Sequence, residues 1–325
     1  MGKKVLVTGG AGYIGSHACK ALAKAGFVPI AFDNLSTGHK EAVRWGPLVF
    51  GDLKDRRLLC DVMRNEKPVA VLHFAANALV GESVKNPFKY YDNNVVGTLS
   101  LLEAMKQEGI CYIIFSSSCA TYGDPLFIPM NEEHPQMPIN PYGRSKLMME
   151  QILFDCDKAY NIRSICLRYF NAAGADLDGE IGENHEEETH LIPLLLLSLL
   201  KNREFFVFGN DFSTSDGTAI RDYIHVTDLA DAHVKALDFL LNTKTSTNFN
   251  LGTGKGLSVL EMLALAEKIC NNKVKATIAP RREGDPPILI ADPKKSHSLL
   301  RWKPQCSDPE TLIRSAYSWH KKTHS

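Results

Sequence analysis

A tyrosine and a lysine four residues apart could carry acid–base chemistry in this chain. Tyr142 and Lys146 stand in the segment P-Y-G-R-S-K, at the start of a predicted helix. Side chains at this spacing on a helix face the same way, and a neighbouring ammonium lowers the pKa of a phenol toward the working pH. The pattern therefore predicts a tyrosine that acts as a base. Tyr317 and Lys321 repeat the spacing in a predicted terminal helix, without catalytic context.

Three glycines near the N-terminus predict a phosphate-binding turn. Gly9, Gly12 and Gly15 follow a predicted strand at 4–8 and open a predicted helix at 13–25. A helix N-terminus offers free N–H groups and its dipole to a pyrophosphate. Glycines allow the tight turn and the close backbone approach. The alternative is an ordinary turn between a strand and a helix.

An aspartate at the end of the second predicted strand indicates which dinucleotide would bind. Asp33 lies 18 residues after Gly15, where a carboxylate can bind both adenosine-ribose hydroxyls, which favours NAD. Residues 34–36 include no arginine that could receive a 2′-phosphate. A loop-capping role for Asp33 is the alternative. Asp52, after the third strand, could lie near the adenine.

These residues need a scaffold in which strands and helices alternate. Such alternation over residues 1–172 predicts a Rossmann-type α/β fold, a doubly wound parallel sheet with right-handed crossovers. The strands are apolar nearly throughout, as expected when helices cover both faces. We expect an NAD-binding domain at 1–172 and a smaller C-terminal α/β substrate lobe at 173–325, with segments near 210–250 returning to the first domain.

The same pattern predicts bounds for individual elements. Predicted strands lie at 4–8, 28–32, 69–74, 112–116, 163–168 and 205–208. Predicted helices lie at 13–25, 55–65, 88–108, 141–160, 227–241 and 258–270, with another beginning at residue 191. We expect the chain to fray from residue 320 onward.

Composition excludes several classes of function. The 325 residues are 44% hydrophobic and 23% charged, and 37 basic side chains balance 37 acidic ones. A formal charge of zero argues against a general binder of nucleic acid or anionic membranes. The longest apolar stretch, 191–200, is shorter than the roughly 20 residues of a membrane span. Eight scattered cysteines without a C-x-x-C pair favour reduced thiols, so we expect a cytoplasmic protein that acts on a small molecule.

Nine motifs in order reveal a family resemblance. They are T-G-G-A-G-Y-I-G-S-H at 8–17, H-F-A-A at 73–76, Y-Y-D-N-N-V at 90–95, F-S-S-S-C-A-T-Y-G at 115–123, P-Y-G-R-S-K at 141–146, R-Y-F-N-A-A-G-A at 168–175, F-G-N-D at 208–211, D-G-T-A-I-R-D-Y-I-H-V at 216–226 and A-P-R-R-E-G-D at 279–285. With them the chain resembles the extended short-chain dehydrogenase/reductase superfamily, and within it the epimerases of nucleotide sugars. The resemblance extends from residue 5 to about residue 319.

The resemblance implies an activity, a cofactor and a set of site residues. The implied reaction is reversible C4 epimerisation of UDP-glucose and UDP-galactose, through a transient 4-keto sugar and tightly bound NAD. Tyr142 is implied as the base, Lys146 holds the nicotinamide ribose, and Ser118 bonds the sugar 4-hydroxyl. Implied NAD contacts are Gly9, Gly12, Tyr13, Ile14, Asp33, Asn34, Asp52, Leu53, Phe74, Ala75, Asn93 and Tyr169. Implied contacts of the UDP-sugar are Asn171, Leu191, Phe208, Arg221, Arg282 and Asp285.

The chemistry of the implied substrate residues is consistent with these roles. Arg221 and Arg282 can fork onto diphosphate oxygens, and Asp285 can accept from a ribose hydroxyl. A surface ion pair is the alternative for either arginine. Leu289 stands where restricted epimerases tend to have a tyrosine. We therefore hypothesise that UDP-N-acetylglucosamine and UDP-N-acetylgalactosamine also react.

Three further expectations concern metal, histidine and assembly. The segment 185–190 imitates a metalloprotease motif, but histidines five apart cannot share one helical face, so we predict no metal. His190 could bond the sugar or a phosphate. The resemblance also implies a homodimer through the helices at 88–108 and 141–160.

Two other functions compete with epimerisation. An NAD-dependent sugar-nucleotide 4,6-dehydratase normally needs an Asp-Glu pair where this chain has Cys119 and Ala120. A non-catalytic NAD sensor would be expected to lose the base, yet Ser118, Tyr142 and Lys146 are all present.

Overall fold

Strands and helices alternate along the chain in a computed structural model that describes residues 2–282 and 284–324. The strands are β1 (Lys4–Thr8), β2 (Val28–Asp33), β3 (Leu48–Phe50), β4 (Ala70–His73), β5 (Tyr112–Ser118), β6 (Arg163–Tyr169), β7 (Asn171–Ala173), β8 (Glu204–Phe208), β9 (Ile220–Arg221), β10 (Tyr223–His225), β11 (Thr247–Leu251), β12 (Leu257–Ser258), β13 (Lys275–Ala279) and β14 (Ile288–Leu289). The α-helices are α1 (Tyr13–Lys24), α2 (Arg56–Glu66), α3 (Val80–Lys85), α4 (Pro87–Tyr90), α5 (Gly97–Glu108), α6 (Pro141–Tyr160), α7 (Leu191–Lys201), α8 (Val226–Thr243), α9 (Val259–Cys270), α10 (Lys294–Leu299) and α11 (Pro309–His324).

Seven parallel strands form the central sheet, in the order β11-β6-β5-β4-β1-β2-β3. The strand order reverses between β1 and β4. In open α/β sheets, ligands bind beside such a reversal, outside the carboxyl ends of the strands. The prediction of a Rossmann-type doubly wound sheet is confirmed.

Helices cover both faces of this sheet. Val5 and Val7 of β1 pack into one core, together with side chains of α1 and α8. Leu6 packs into the other core, which includes residues of α2, α5 and α6. Successive side chains of a strand point to opposite faces, so a strand covered on both faces is apolar at every position.

The predicted helix at 88–108 contains a π-helical segment, Tyr91–Val96, between α4 and α5. Asn94 of this segment is buried, and its amide donates to the carbonyl of Asn77 and to the hydroxyl of Ser145 on α6. The wider turn thus carries a side chain that joins three parts of the chain.

The residues after 173 contain a further core. Helices α7, α9 and α11 pack together, and this core includes side chains of β8, which pairs in parallel with β13. The expectation of fraying from residue 320 is wrong, because α11 continues to His324 and buries Leu312 and Ile313 in this core. The division into domains at residue 172 stays a prediction. No helix in the described part of the chain is long and apolar enough to cross a membrane.

Candidate active site

In the glycine turn, where β1 leads into α1, Gly9 and Gly15 leave no room for a side chain. Gly9 has a φ of 73°, and a Cβ on it would lie 2.6 Å from the backbone nitrogen of Ala75. A Cβ on Gly15 would lie 2.1 Å from the carbonyl oxygen of Gly9. Helix α1 begins at Tyr13, and its N-cap residue, Gly12, has no capping side chain. The N–H groups of the first turn can therefore bind the pyrophosphate of a dinucleotide.

Asp33 ends β2 with a buried carboxylate that joins two loops. It accepts hydrogen bonds from the backbone nitrogens of Ala11, at 2.9 Å, and Leu35, at 2.8 Å. Asn34 donates to Asp52 at 2.8 Å. Burial alone would raise the pKa of Asp52, but hydrogen bonds, including that from Asn34, hold it below its usual value. Asp33 thus has the loop-capping role, and its contact with a ribose stays a prediction.

The remaining predicted cofactor residues are distributed around the same edge of the sheet. Phe74 and Ala75 follow β4, and Asn93 lies in the π-helical segment. Tyr169 ends β6, and its hydroxyl shares a 2.6 Å hydrogen bond with that of Ser116. Two other predicted residues pack into the cores below this edge, namely Ile14 and Leu53.

Ser118, Tyr142 and Lys146 come together at the carboxyl end of β5. The ammonium of Lys146, a residue only 2% exposed, donates to the carbonyl of Ser116 at 2.7 Å. Burial lowers the pKa of Lys146 to about 7, against the opposing effect of Glu150. Burial also raises the pKa of Tyr142 well above 10, although its hydrogen bond with Ser118 acts in the opposite direction. The pKa of Tyr142 is therefore raised, where the sequence analysis expected it to be lowered, because burial disfavours the charged phenolate.

The start of α6 explains how the tyrosine and lysine reach the strand end. Asn140 caps the helix by accepting from the N–H of Gly143 at 2.8 Å. A Cβ on Gly143 would lie 2.3 Å from the carbonyl oxygen of Ala120. Glycine at this position therefore lets the first turn of α6 approach the turn that follows β5.

A buried ion pair beside Ser117 was not predicted from the sequence. Arg168 on β6 donates to Glu150 on α6 through two nitrogens, at 3.0 and 2.6 Å. The same carboxylate accepts from the hydroxyl of Ser117, and Arg168 also donates to the hydroxyl of Tyr122 at 3.0 Å. The network joins α6, β5 and β6, and Glu150 lies about two helical turns along α6 from the proposed base. Arg168 lies in a recognised motif, but spacing alone could not identify its partner.

Three residues predicted for the UDP-sugar lie at or beside the small sheet β12-β9-β14. Arg221 ends β9, lies opposite Leu289 of β14, and forms an ion pair with Asp285. The guanidinium of Arg282 lies 4.1 Å from the ring centre of Phe208. The structure thus pairs Arg221 with Asp285, whereas the sequence assigned them to separate parts of the substrate.

Two other predicted substrate residues, Asn171 and Leu191, begin β7 and α7. The amide of Asn171 donates to the carbonyl of Asp222 at 3.1 Å. The carboxylate of Asp222, a residue missed by the sequence analysis, accepts from the backbone nitrogens of Thr253, at 2.8 Å, and Ala291, at 3.2 Å. Its burial raises the pKa of this carboxyl group. Asp222 therefore fixes the loops that carry the substrate residues.

Glu183, His185, Glu188 and His190 gather in the segment before α7. Their ligand-type atoms all lie within 4.8 Å of one another, and the two imidazole rings are 5.5 Å apart. The spacing argument against a shared face applies to a helix, whereas this segment is a loop. Such residue types can hold a divalent metal. In this structure, however, His190 and Glu183 contact each other directly. The absence of a metal site stays a prediction.

Comparisons with known proteins agree with this geometry. The model of the NAD dependent epimerase/dehydratase family matches residues 5–252. The UDP-glucose 4-epimerase of Rhizobium leguminosarum bv. trifolii is 53% identical over 324 residues, 99% of each chain. The structure of UDP-glucose 4-epimerase from Brucella ovis in complex with NAD is 50% identical, with a TM-score of 0.95 over 97% of this chain and 98% of that one. The UDP-Glc/GlcNAc 4-epimerase of Campylobacter jejuni is 42% identical, with a TM-score of 0.86 over 99% of this chain and 100% of that one.

Proposed function

This chain belongs to the NAD dependent epimerase/dehydratase family, and we propose that it interconverts UDP-glucose and UDP-galactose by inverting C4. The observation that carries the proposal is the convergence of Ser118, Tyr142 and Lys146 at the sheet edge that also holds the glycine turn. Relatives named UDP-glucose 4-epimerase match nearly the whole chain, which supports this choice of substrate. The protein is thus an isomerase that uses NAD.

The reaction requires a proton to leave the 4-hydroxyl while C4 loses a hydride. NAD, when bound, supplies the hydride acceptor and donor, which makes the overall reaction redox-neutral. Tyr142 is the proposed base, and Ser118 orients the 4-hydroxyl or passes its proton on. Because burial raises the pKa of Tyr142, the phenolate needs a neighbouring positive charge. Lys146, one helical turn further along α6, provides this charge in its protonated form.

Inversion also requires the 4-keto sugar to turn over without leaving the site. A firm grip on the nucleotide allows the sugar to rotate while the ketone stays bound. Arg221 and Arg282 are the proposed diphosphate ligands, because guanidinium groups bind phosphate oxygens with two parallel hydrogen bonds. Asp285 is the proposed acceptor for a ribose hydroxyl.

The dehydratase alternative lacks support. Water elimination needs an added acid and base next to Ser118, and the following residues are Cys119 and Ala120. Burial raises the pKa of the Cys119 thiol to about 12, so this thiol does not act as an acid near neutral pH. The relatives from Rhizobium leguminosarum bv. trifolii, Brucella ovis and Campylobacter jejuni are all named as epimerases.

An NMR assay without added cofactor tests the proposed reaction. The purified protein is incubated with UDP-glucose, and we expect UDP-galactose to appear, because NAD is retained. The Tyr142→Phe variant should keep its NAD and lose at least about a hundredfold in rate. A product lighter by one water would indicate a dehydratase. No product in the presence of added NAD, or a fully active variant, would contradict the proposal.

We extend the substrate range to UDP-N-acetylglucosamine and UDP-N-acetylgalactosamine. Leu289 packs against the buried cluster that contains Tyr122 and Phe170. Its side chain is shorter than that of a tyrosine, which leaves more space at the sugar 2-substituent. The structural relative from Campylobacter jejuni is named a UDP-Glc/GlcNAc 4-epimerase. Leu289→Tyr should lower the activity on N-acetylated relative to plain sugars. An unchanged ratio would show that loop shape, and not residue 289, sets the range.

We also propose a cytoplasmic homodimer that serves galactose metabolism. Large apolar side chains lie exposed along the helices expected at the dimer interface, namely Phe88, Leu99, Met148 and Phe154. Sedimentation that shows a monomer at micromolar concentration would contradict the dimer. We likewise propose that the chain divides into two domains at residue 172, with NAD on one side and the UDP-sugar mainly on the other.

A further inference from the structure

A buried lysine on helix α1 has no role in the mechanism described above. The side chain of Lys20 is 7% exposed, and its ammonium donates to both carboxylate oxygens of Asp176 at 2.8 Å. It also donates to Asp178 at 2.7 Å and to Glu180 at 2.8 Å. The three hydrogens of an ammonium match these three carboxylates. Burial opposes the charge, but the carboxylates outweigh burial and raise the pKa of Lys20. The ammonium therefore stays charged and holds the carboxylates together.

The three carboxylates belong to residues 174–184, a segment that we call the strap. It begins directly after β7 and leads into the loop before α7. Tyr13 and Lys20 are seven residues apart and share one face of α1. The hydroxyl of Tyr13 donates to the carbonyl of Gly174 at 2.6 Å, and Lys20 holds Asp176 further along the same face. The first part of the strap is thus fastened to α1 from its first helical turn onward.

The far end of the strap is attached on the other side of the glycine turn. Nε2 of His39 donates to the carbonyl of Asn184 at 2.8 Å. The backbone nitrogen of His39 donates to the carbonyl of Ala11, inside the glycine turn, at 2.9 Å. Tyr13 therefore anchors the strap on one flank of this turn, and His39 anchors it on the other. The N–H groups between the two anchors are those available to a pyrophosphate.

We propose that Lys20 is a positioning residue that slows the release of NAD by clamping the strap to α1. The inference rests on the binding of NAD at the glycine turn, which is part of the proposed function. Detaching the strap separates a buried ammonium from its carboxylates, which is costly. Without that ammonium, three carboxylates whose oxygens lie within 4.8 Å of one another would repel each other and favour the detached strap. Lys24 and Arg44 compensate them less, because both side chains are exposed.

The rate at which NAD leaves the loaded protein tests this role. An NAD glycohydrolase destroys NAD as it is released, and the NAD that stays bound is measured after denaturation at successive times. EDTA in the buffer prevents a divalent cation from taking the place of the ammonium among the carboxylates. Lys20→Met keeps the apolar stem and should release NAD at least about tenfold faster than the native protein, because a buried group that loses its partner is left uncompensated.

Lys24→Met is the matched control, since it removes an ammonium from the same helix. Lys24 lies 3.8 Å from Asp178, but its side chain is 69% exposed. Exposed ion pairs contribute little, so the release rate of this variant should stay within about twofold of native. The circular dichroism of both lysine variants should match that of the native protein.

Asp178→Asn separates the effect of charge from that of packing. In the native background it removes one partner of Lys20, so release should become about twofold to fivefold faster. In the Lys20→Met background it removes one of three mutually repelling carboxylates, so release should become slower. Asp178 is 64% exposed, so this variant folds without a change in the core and tests the clamp even if Lys20→Met does not fold.

Each other outcome overturns the reasoning. Equal release rates for the native protein and Lys20→Met would refute the inference and leave the epimerase assay untouched. An effect of Asp178→Asn with the same sign in both backgrounds would show that packing, and not charge, controls release. Lys24→Met that releases NAD as fast as Lys20→Met would show that the buried clamp is not responsible. A native protein that holds no NAD would refute both the inference and the proposed function.

Discussion

The ion pair between Glu150 and Arg168 allows a quantitative test of how the catalytic helix is held in place. The two residues are 9% and 3% exposed, and three nitrogen–oxygen contacts of 2.6 to 3.2 Å join them. Glu150→Gln leaves the guanidinium buried without an opposite charge. Breaking a buried pair in this way costs about 3–5 kcal/mol. We expect the free energy of unfolding to fall by that amount.

Urea unfolding followed by circular dichroism measures this loss, at saturating NAD and at one fixed protein concentration. Arg168→Met should cost less in the Glu150→Gln background than in the native protein, because the isolated charge has gone. Glu310→Gln is the control, since its partner Arg314 lies beside it on the exposed face of α11. An exposed pair of this kind contributes at most about 1 kcal/mol. A Glu150→Gln variant within about 1 kcal/mol of native would refute the reasoning.

Three other predictions concern the cofactor turn and stability in acid. Gly15→Ala should abolish NAD retention, because its Cβ would meet the carbonyl of Gly9. The amount of NAD released on denaturation measures the retention. Gly81→Ala is the control and should retain NAD, because a Cβ on Gly81 meets open space. Asp33→Asn should lower NAD affinity at least about tenfold in titrations of the apoprotein; unchanged affinity would leave Asp33 with loop capping alone. Burial lowers the pKa of His73 to about 3, so as the pH falls this imidazole is protonated in the unfolded chain before it is protonated in the folded protein. Between pH 6.5 and 5 the free energy of unfolding measured in urea should therefore fall by about 2 kcal/mol. His73→Gln should remove this loss.

Much of the fold could be predicted because its signals are local. The strand at 4–8 and the helix at 141–160 have the predicted bounds, since apolar runs, glycines and capping residues all lie within a few positions. Strand β3 was harder to bound, because only Leu48, Val49 and Phe50 form it and Phe50 is 67% exposed. The end of the chain was misjudged because the apolar side of α11 acquires its partners from α7 and α9.

The candidate site was predictable by residue type and less so by partner. Tyr142 and Lys146 are close in sequence, so their spacing on a helix was informative. Arg221 and Asp285 lie far apart in the chain, and no periodicity could show that they pair. The burial that raises the pKa of Tyr142 likewise depends on the whole fold. Local pattern therefore identifies which groups can react, while tertiary packing decides their charge.

The last strand of the central sheet has a consequence for synthesis on the ribosome. β6 ends at Tyr169, but β11, which covers its outer edge, begins only at Thr247. At about 5–20 residues per second, the intervening roughly 80 residues take several seconds to emerge. During that time the nascent chain exposes an unpaired, apolar strand edge, the type of surface that promotes aggregation. Truncated products that stop before residue 247 should therefore be insoluble or chaperone-bound even though they carry the entire glycine turn and the proposed catalytic residues.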